Sequence, residues 1–143
     1  MYLLPNNYYI YRTMTEKNKS PKRIFVAEDN AVYAKALQAS LKRRFPETEI
    51  EVFPVGELVL DNLDKQPDFI IMDYFLNNKY FDAADGMSIV KEIKNRNSKI
   101  NIIVLSAQQD IEVALAIKEL GCHYLVKNND SLFKIEEHIL GIK

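Results

Sequence analysis

Residues 69–74 read Phe69-Ile70-Ile71-Met72-Asp73-Tyr74. Four apolar side chains in succession leave no polar face. In a run this short, that pattern belongs to a strand covered on both sides, as in a parallel sheet. Arg23–Glu28 and Asn101–Ser106 have the same character. Glu49–Phe53 alternates polar and apolar residues like a strand at a sheet edge, and His123–Lys127 is a fifth, short strand. Helical patterns follow each strand: 31–44, with Val32, Tyr33, Ala36, Leu37, Ser40 and Leu41 on one stripe, then 56–63, 87–95, 110–120 and 132–140. Five strands each followed by a helix predict an α/β fold: a doubly wound, five-stranded parallel sheet between two helical layers. Ligands of such sheets gather outside the carboxyl ends of the strands.

Composition narrows the function. The 143 residues carry 19 Lys+Arg against 20 Asp+Glu, so no strong field gathers nucleic acid or an anionic membrane. One Cys, Cys122, and two His, His123 and His138, are too few for a disulfide framework or a structural zinc site. The four glycines, at 56, 86, 121 and 141, form neither a dinucleotide-binding turn nor a P-loop. No apolar run approaches the ~20 residues that span a bilayer, and the expected setting is cytoplasmic. Residues 1–22, Tyr- and Asn-rich and then polar, show no period and read as a poorly ordered tail; 23–143 form one domain.

The strand ends carry the chemistry. Glu28 and Asp29 close the first strand, Asp73 the third, Ser106 the fourth and Lys127 the fifth. Two carboxylates ~4 Å apart repel by ~4 kcal/mol at an effective dielectric of 20, so three in one crevice call for a counter-charge. A hard divalent cation such as Mg²⁺ suits oxygen ligands and keeps room for a phosphate. Lys127 adds a mobile positive charge and Ser106 a hydroxyl. The reaction that fits is phosphoryl transfer onto a carboxylate, which depends on charge neutralisation and positioning.

Glu28-Asp29, Asp73, Asp85-Gly86, Ser106-Ala107 and Tyr124-Leu125-Val126-Lys127, taken in order, resemble the receiver domain of two-component response regulators. The likeness runs from about Lys22 to the C-terminus. It implies a flavodoxin-like sheet of order 2-1-3-4-5 and a stand-alone phosphorylation switch rather than a conventional enzyme. By that resemblance Asp73 accepts a phosphoryl group from a histidine kinase or a histidine phosphotransfer protein. Mg²⁺ (or Mn²⁺) is held by Asp29, Asp73, Glu28 through water, and the Phe75 carbonyl. Lys127 pairs with the phosphoryl oxygens, Ser106 bonds the new phosphate, and Tyr124 is the aromatic switch. The signal leaves through protein contact or onward phosphorelay, with no nucleic-acid or membrane partner expected. A degenerate receiver that binds partners without phosphorylation is the alternative.

Two departures from the family pattern carry expectations of their own. Lys127 is followed by Asn128-Asn129 where the family commonly has Pro, which predicts a less firmly held Lys127. The 74–85 connection is longer than usual, which suggests a role in kinase docking or in shielding the phosphate. The helix at 110–120 is apolar on more than one face, so with Tyr124 it is expected to meet a downstream protein or a second copy in a homodimer. His138 is expected to face solvent.

Overall fold

The computed structural model describes residues 20–74 and 85–141. The expectations placed on residues 1–19, on most of the 74–85 connection and on the Phe75 carbonyl lie outside the described residues. Ser20–Lys22 do not continue a loose tail. The Pro21 carbonyl accepts from Thr48 Oγ1 at 2.6 Å and Asp68 Oδ2 accepts from the Lys22 N–H at 2.7 Å, so the folded unit begins before Arg23.

The order of elements is β1 (Arg23–Ala27), α1 (Ala31–Arg44), β2 (Glu49–Phe53), α2 (Gly56–Asp61), a 3₁₀ turn (Leu63–Lys65), β3 (Phe69–Asp73), α3 (Gly86–Arg96), β4 (Asn101–Ser106), α4 (Ile111–Glu119), β5 (His123–Val126) and α5 (Ser131–Leu140). The strands form one parallel sheet in the order β2-β1-β3-β4-β5. The three inner strands are the continuous apolar runs, because both of their faces are covered. Phe25, Ile70, Met72, Ile102 and Val104 pack under Val59, Ile89, Ile93 and Ile117 of α2, α3 and α4. Ile24, Val26, Ile71, Ile103 and Leu105 point the other way, against Leu37 and Leu41 of α1 and Ile135 and Ile139 of α5. Shifting any inner strand by one residue would exchange these two sets, so the register is strongly specified.

The stripe expected on α1 is displaced by part of a turn. Ala34, Leu37 and Leu41 are buried, whereas Val32 is 80% exposed and Ala36 also faces solvent. An Ala contributes little to a periodic pattern, and Ala34 and Ala36 could not be told apart by type. His138 is half-buried rather than fully solvent-facing: its ring stacks on His123 at 4.1 Å between centroids, with Phe69 edge-on at 6.4 Å.

Candidate functional site

The register carries the strand ends to one edge of the sheet. Asp73 is opposite Leu105, Ser106 is opposite Val126, and the Glu28 N–H extends the β1–β2 ladder by donating to the Phe53 carbonyl at 2.9 Å. Tyr74 N–H reaches the Leu105 carbonyl at 2.8 Å and Lys127 N–H the Ser106 carbonyl at 2.7 Å. Acids read from separate stretches of sequence thus meet in one crevice. Glu28, Asp29 and Asp73 each offer a carboxylate oxygen within 4.8 Å of the others. Glu28 and Asp73 are buried and Asp29 is half-buried.

Lys127 spans this crevice. Its Nζ donates to Glu28 Oε2 and to Asp73 Oδ2, each at 2.9 Å. Burial opposes the ammonium charge, but Asp73 and Glu28 outweigh it and hold the Lys127 pKa above its usual value. Burial pushes the Glu28 carboxyl up to about 7, with Lys127 opposing and the Asp73 charge adding to the rise. Among the described residues, Lys127 is the ammonium bonded to two buried acids that lie beside a half-buried third, a grouping that favours added positive charge. The donor set is all oxygen, and it fits a hard dication better than a soft metal.

The backbone on either side of Lys127 is hydrogen-bonded to the start of α5 although Asn128-Asn129 stands where the family commonly has Pro. The buried Ser131 Oγ accepts from the Asn128 N–H at 2.6 Å and donates to the Val126 carbonyl at 3.1 Å. Asn128 Oδ1 accepts from the Asp130 N–H at 2.9 Å. This knot ties both neighbours of Lys127 to the start of α5. A Ser opening a helix is a common cap, so the sequence alone does not mark Ser131 as a brace.

Ser106 is buried at the end of β4 and donates to the Gln108 carbonyl at 2.8 Å. Tyr124, half-buried on β5, donates to the same carbonyl at 2.8 Å and accepts from the Asp110 N–H at 3.3 Å. Asp85 caps α3, its Oδ1 accepting from the Ser88 N–H at 2.7 Å. Gly86 lies so close to the end of β3 that a Cβ there would stand 2.6 Å from the Tyr74 carbonyl oxygen. The Asp85-Gly86 pair therefore seats α3 directly beside the strand end that carries Asp73.

The model of the response regulator receiver domain matches residues 24–137. Among curated proteins, the photosynthetic apparatus regulatory protein RegA of Rhodobacter capsulatus is 26% identical over 109 residues, 76% of this chain. The chain spans 55% of that relative's length. Among solved structures, a putative response regulator from Chloroflexus aurantiacus superposes with a TM-score of 0.68 at 26% identity, covering 85% of this chain and 99% of that one. The Mn²⁺-bound form of the response regulator Rcp1 gives 0.65 at 27% identity, covering 85% and 91%.

Proposed function

Because the chain belongs to the response regulator receiver domain family, we propose that it is a phosphorylation-dependent switch whose phosphoacceptor is Asp73. The observation that carries the reading is the bridge from Lys127 Nζ to Asp73 Oδ2 and Glu28 Oε2 at 2.9 Å each, beside Asp29. An ammonium on the acceptor carboxylate is placed to balance charge as a phosphoryl group arrives.

The donor is a phosphohistidine on a kinase or phosphotransfer protein. A carboxylate oxygen of Asp73 forms the new P–O bond, the P–N bond breaks, and its electron pair leaves with the imidazole. Asp29 and Asp73 would hold Mg²⁺ or Mn²⁺ directly, and Glu28 through water. The ion's contribution is to neutralise the phosphoryl oxygens and the crowded carboxylates. Lys127 pairs with the phosphoryl group, and the Ser106 hydroxyl leaves the Gln108 carbonyl to bond it. The protein assists its own phosphorylation and dephosphorylation and is no conventional enzyme. The output surface is α4 with Tyr124, where Ile111 is 69% and Leu115 57% exposed. A downstream protein or a second copy covers it.

The deciding experiment is incubation with Mg²⁺ and acetyl phosphate followed by intact mass measurement. The wild type is expected to gain one phosphoryl group and Asp73→Ala none. A wild type that gains nothing would instead support a receiver acting as a phosphorylation-independent interaction module.

A further inference from the structure

The face of Tyr33 lies 4.4 Å from Lys127 Nζ. Two sides of that ammonium are spoken for by Glu28 and Asp73, and the aromatic ring takes another. Tyr33 is itself placed by the acidic site. Glu28 Oε1 accepts from the Asn30 N–H at 3.1 Å, and Asn30 Oδ1 accepts from the Tyr33 N–H at 3.0 Å, capping α1. Contacts therefore run in a closed ring from Glu28 to Asn30, Tyr33, Lys127 and back to Glu28.

Packing alone does not account for a tyrosine here. The side chain packs against the cluster under α1 and α5 that holds Leu37, Leu41 and Ile135, a contact any large apolar side chain can make. The hydroxyl is buried with no partner at ordinary hydrogen-bond geometry among the described residues, the Ser131 side chain being a polar neighbour. What leucine lacks is the negative face of the ring, which attracts an ammonium more strongly as water is excluded. Side chains of Glu28 and Lys127 beside it are only 2% and 20% exposed.

We propose that Tyr33 is a positioning residue for phosphotransfer, its ring seating the Lys127 ammonium between Glu28 and Asp73. The role rests on the phosphoacceptor reading of Asp73. A flexible lysine stem has many rotamers, and the ring removes those that carry Nζ away from the carboxylates.

The test compares Tyr33→Phe and Tyr33→Leu with the wild type. NMR of the Lys127 methylene next to Nζ reads the seat without any phosphodonor. Its protons are expected at upfield, ring-shifted positions in the wild type and in Tyr33→Phe, and at ordinary lysine positions in Tyr33→Leu. With acetyl phosphate, Tyr33→Leu is expected to lose about tenfold in maximal phosphorylation rate with an unchanged half-saturating Mg²⁺ concentration. Tyr33→Phe should stay close to wild type. A purely packing role would also be rescued by Phe, but it would show as lower stability of Tyr33→Leu with Lys127 protons at ordinary positions in the wild type and no loss of rate at saturating Mg²⁺. Unshifted Lys127 protons in the wild type, or a Tyr33→Leu protein as fast as wild type, would overturn the proposal. A wild type that takes no phosphoryl group overturns the phosphoacceptor reading and this role with it, whereas normal rates in Tyr33→Leu overturn this role alone.

Discussion

The hydroxyls of Ser106 and Tyr124 donate to one and the same acceptor, the carbonyl oxygen of Gln108, each at 2.8 Å. One hydroxyl ends a strand at the acidic crevice and the other sits on the edge strand β5, so a single carbonyl joins the crevice to the α4 side of the domain. A carbonyl has two lone pairs and tolerates the loss of one donor better than the loss of both. Ser106→Ala and Tyr124→Phe are each expected to cost about 1 kcal/mol of unfolding free energy, with the double variant costing more than their sum. Urea denaturation of the four proteins measures the coupling, and strict additivity would show that the shared acceptor couples nothing.

Lys127 is the one cation bonded to the buried Glu28 and Asp73 among the described residues. Removing it by Lys127→Met takes away the ammonium that bridges the two carboxylates. Full burial would make that loss larger, but the 20% exposure of the lysine side chain tempers it to about 2 kcal/mol. A dication restores the missing charge, so added Mg²⁺ should raise the melting temperature more in Lys127→Met than in wild type. Equal increments in the two proteins would mean that Mg²⁺ and Lys127 do not serve the same carboxylates.

Gly86 tests how α3 is seated against β3. A methyl group 2.6 Å from the Tyr74 carbonyl meets backbone, which cannot rotate away as a side chain can. Gly86→Ala is expected to cost about 1–3 kcal/mol despite the better helix propensity of alanine. The strand end that gives way carries Asp73, so phosphorylation by acetyl phosphate should slow as well. An alanine variant of unchanged stability and rate would place this contact outside the site's support.

The sheet was legible because its signal is repeated. Continuous apolar runs at 23–28, 69–74 and 101–106 mark strands covered on both faces, and their polar last residues mark one edge of the sheet. The acids and Lys127 could be placed at that edge because a parallel sheet aligns strand ends whatever lies between them. What escaped the sequence has no periodic or compositional mark. Tyr33 reads as one more core residue until the ring is seen beside Nζ, Ser131 reads as an ordinary helix start, and the Gln108 acceptor is backbone. The α1 stripe was misplaced for a related reason: alanines at 34 and 36 are equally good on either face, and the exposed Val32 is apolar by type.

The stacked His123 and His138 make stability depend on pH at the opposite end of the sheet. Burial holds both rings below the ordinary histidine pKa, with the Lys118 charge adding to this for His123 and His123 itself for His138. In the unfolded chain both titrate near 6.5. Above that pH neither state is protonated and the pair has no linkage effect. As pH falls below 6.5 the unfolded chain binds protons first, so stability drops until the folded-state values are passed. Glu28 acts in the opposite sense. Its folded pKa of about 7 lies above the unfolded value, so its contribution is present at low pH and fades as pH rises through 7. The difference between wild type and His138→Phe isolates the pair, because Glu28 is common to both and Phe keeps an aromatic ring against His123. Melting temperatures between pH 7.5 and 5 (roughly the range that brackets the histidine pKa) should fall less steeply in His138→Phe than in wild type. Parallel curves would mean that His138 gains its proton as easily folded as unfolded.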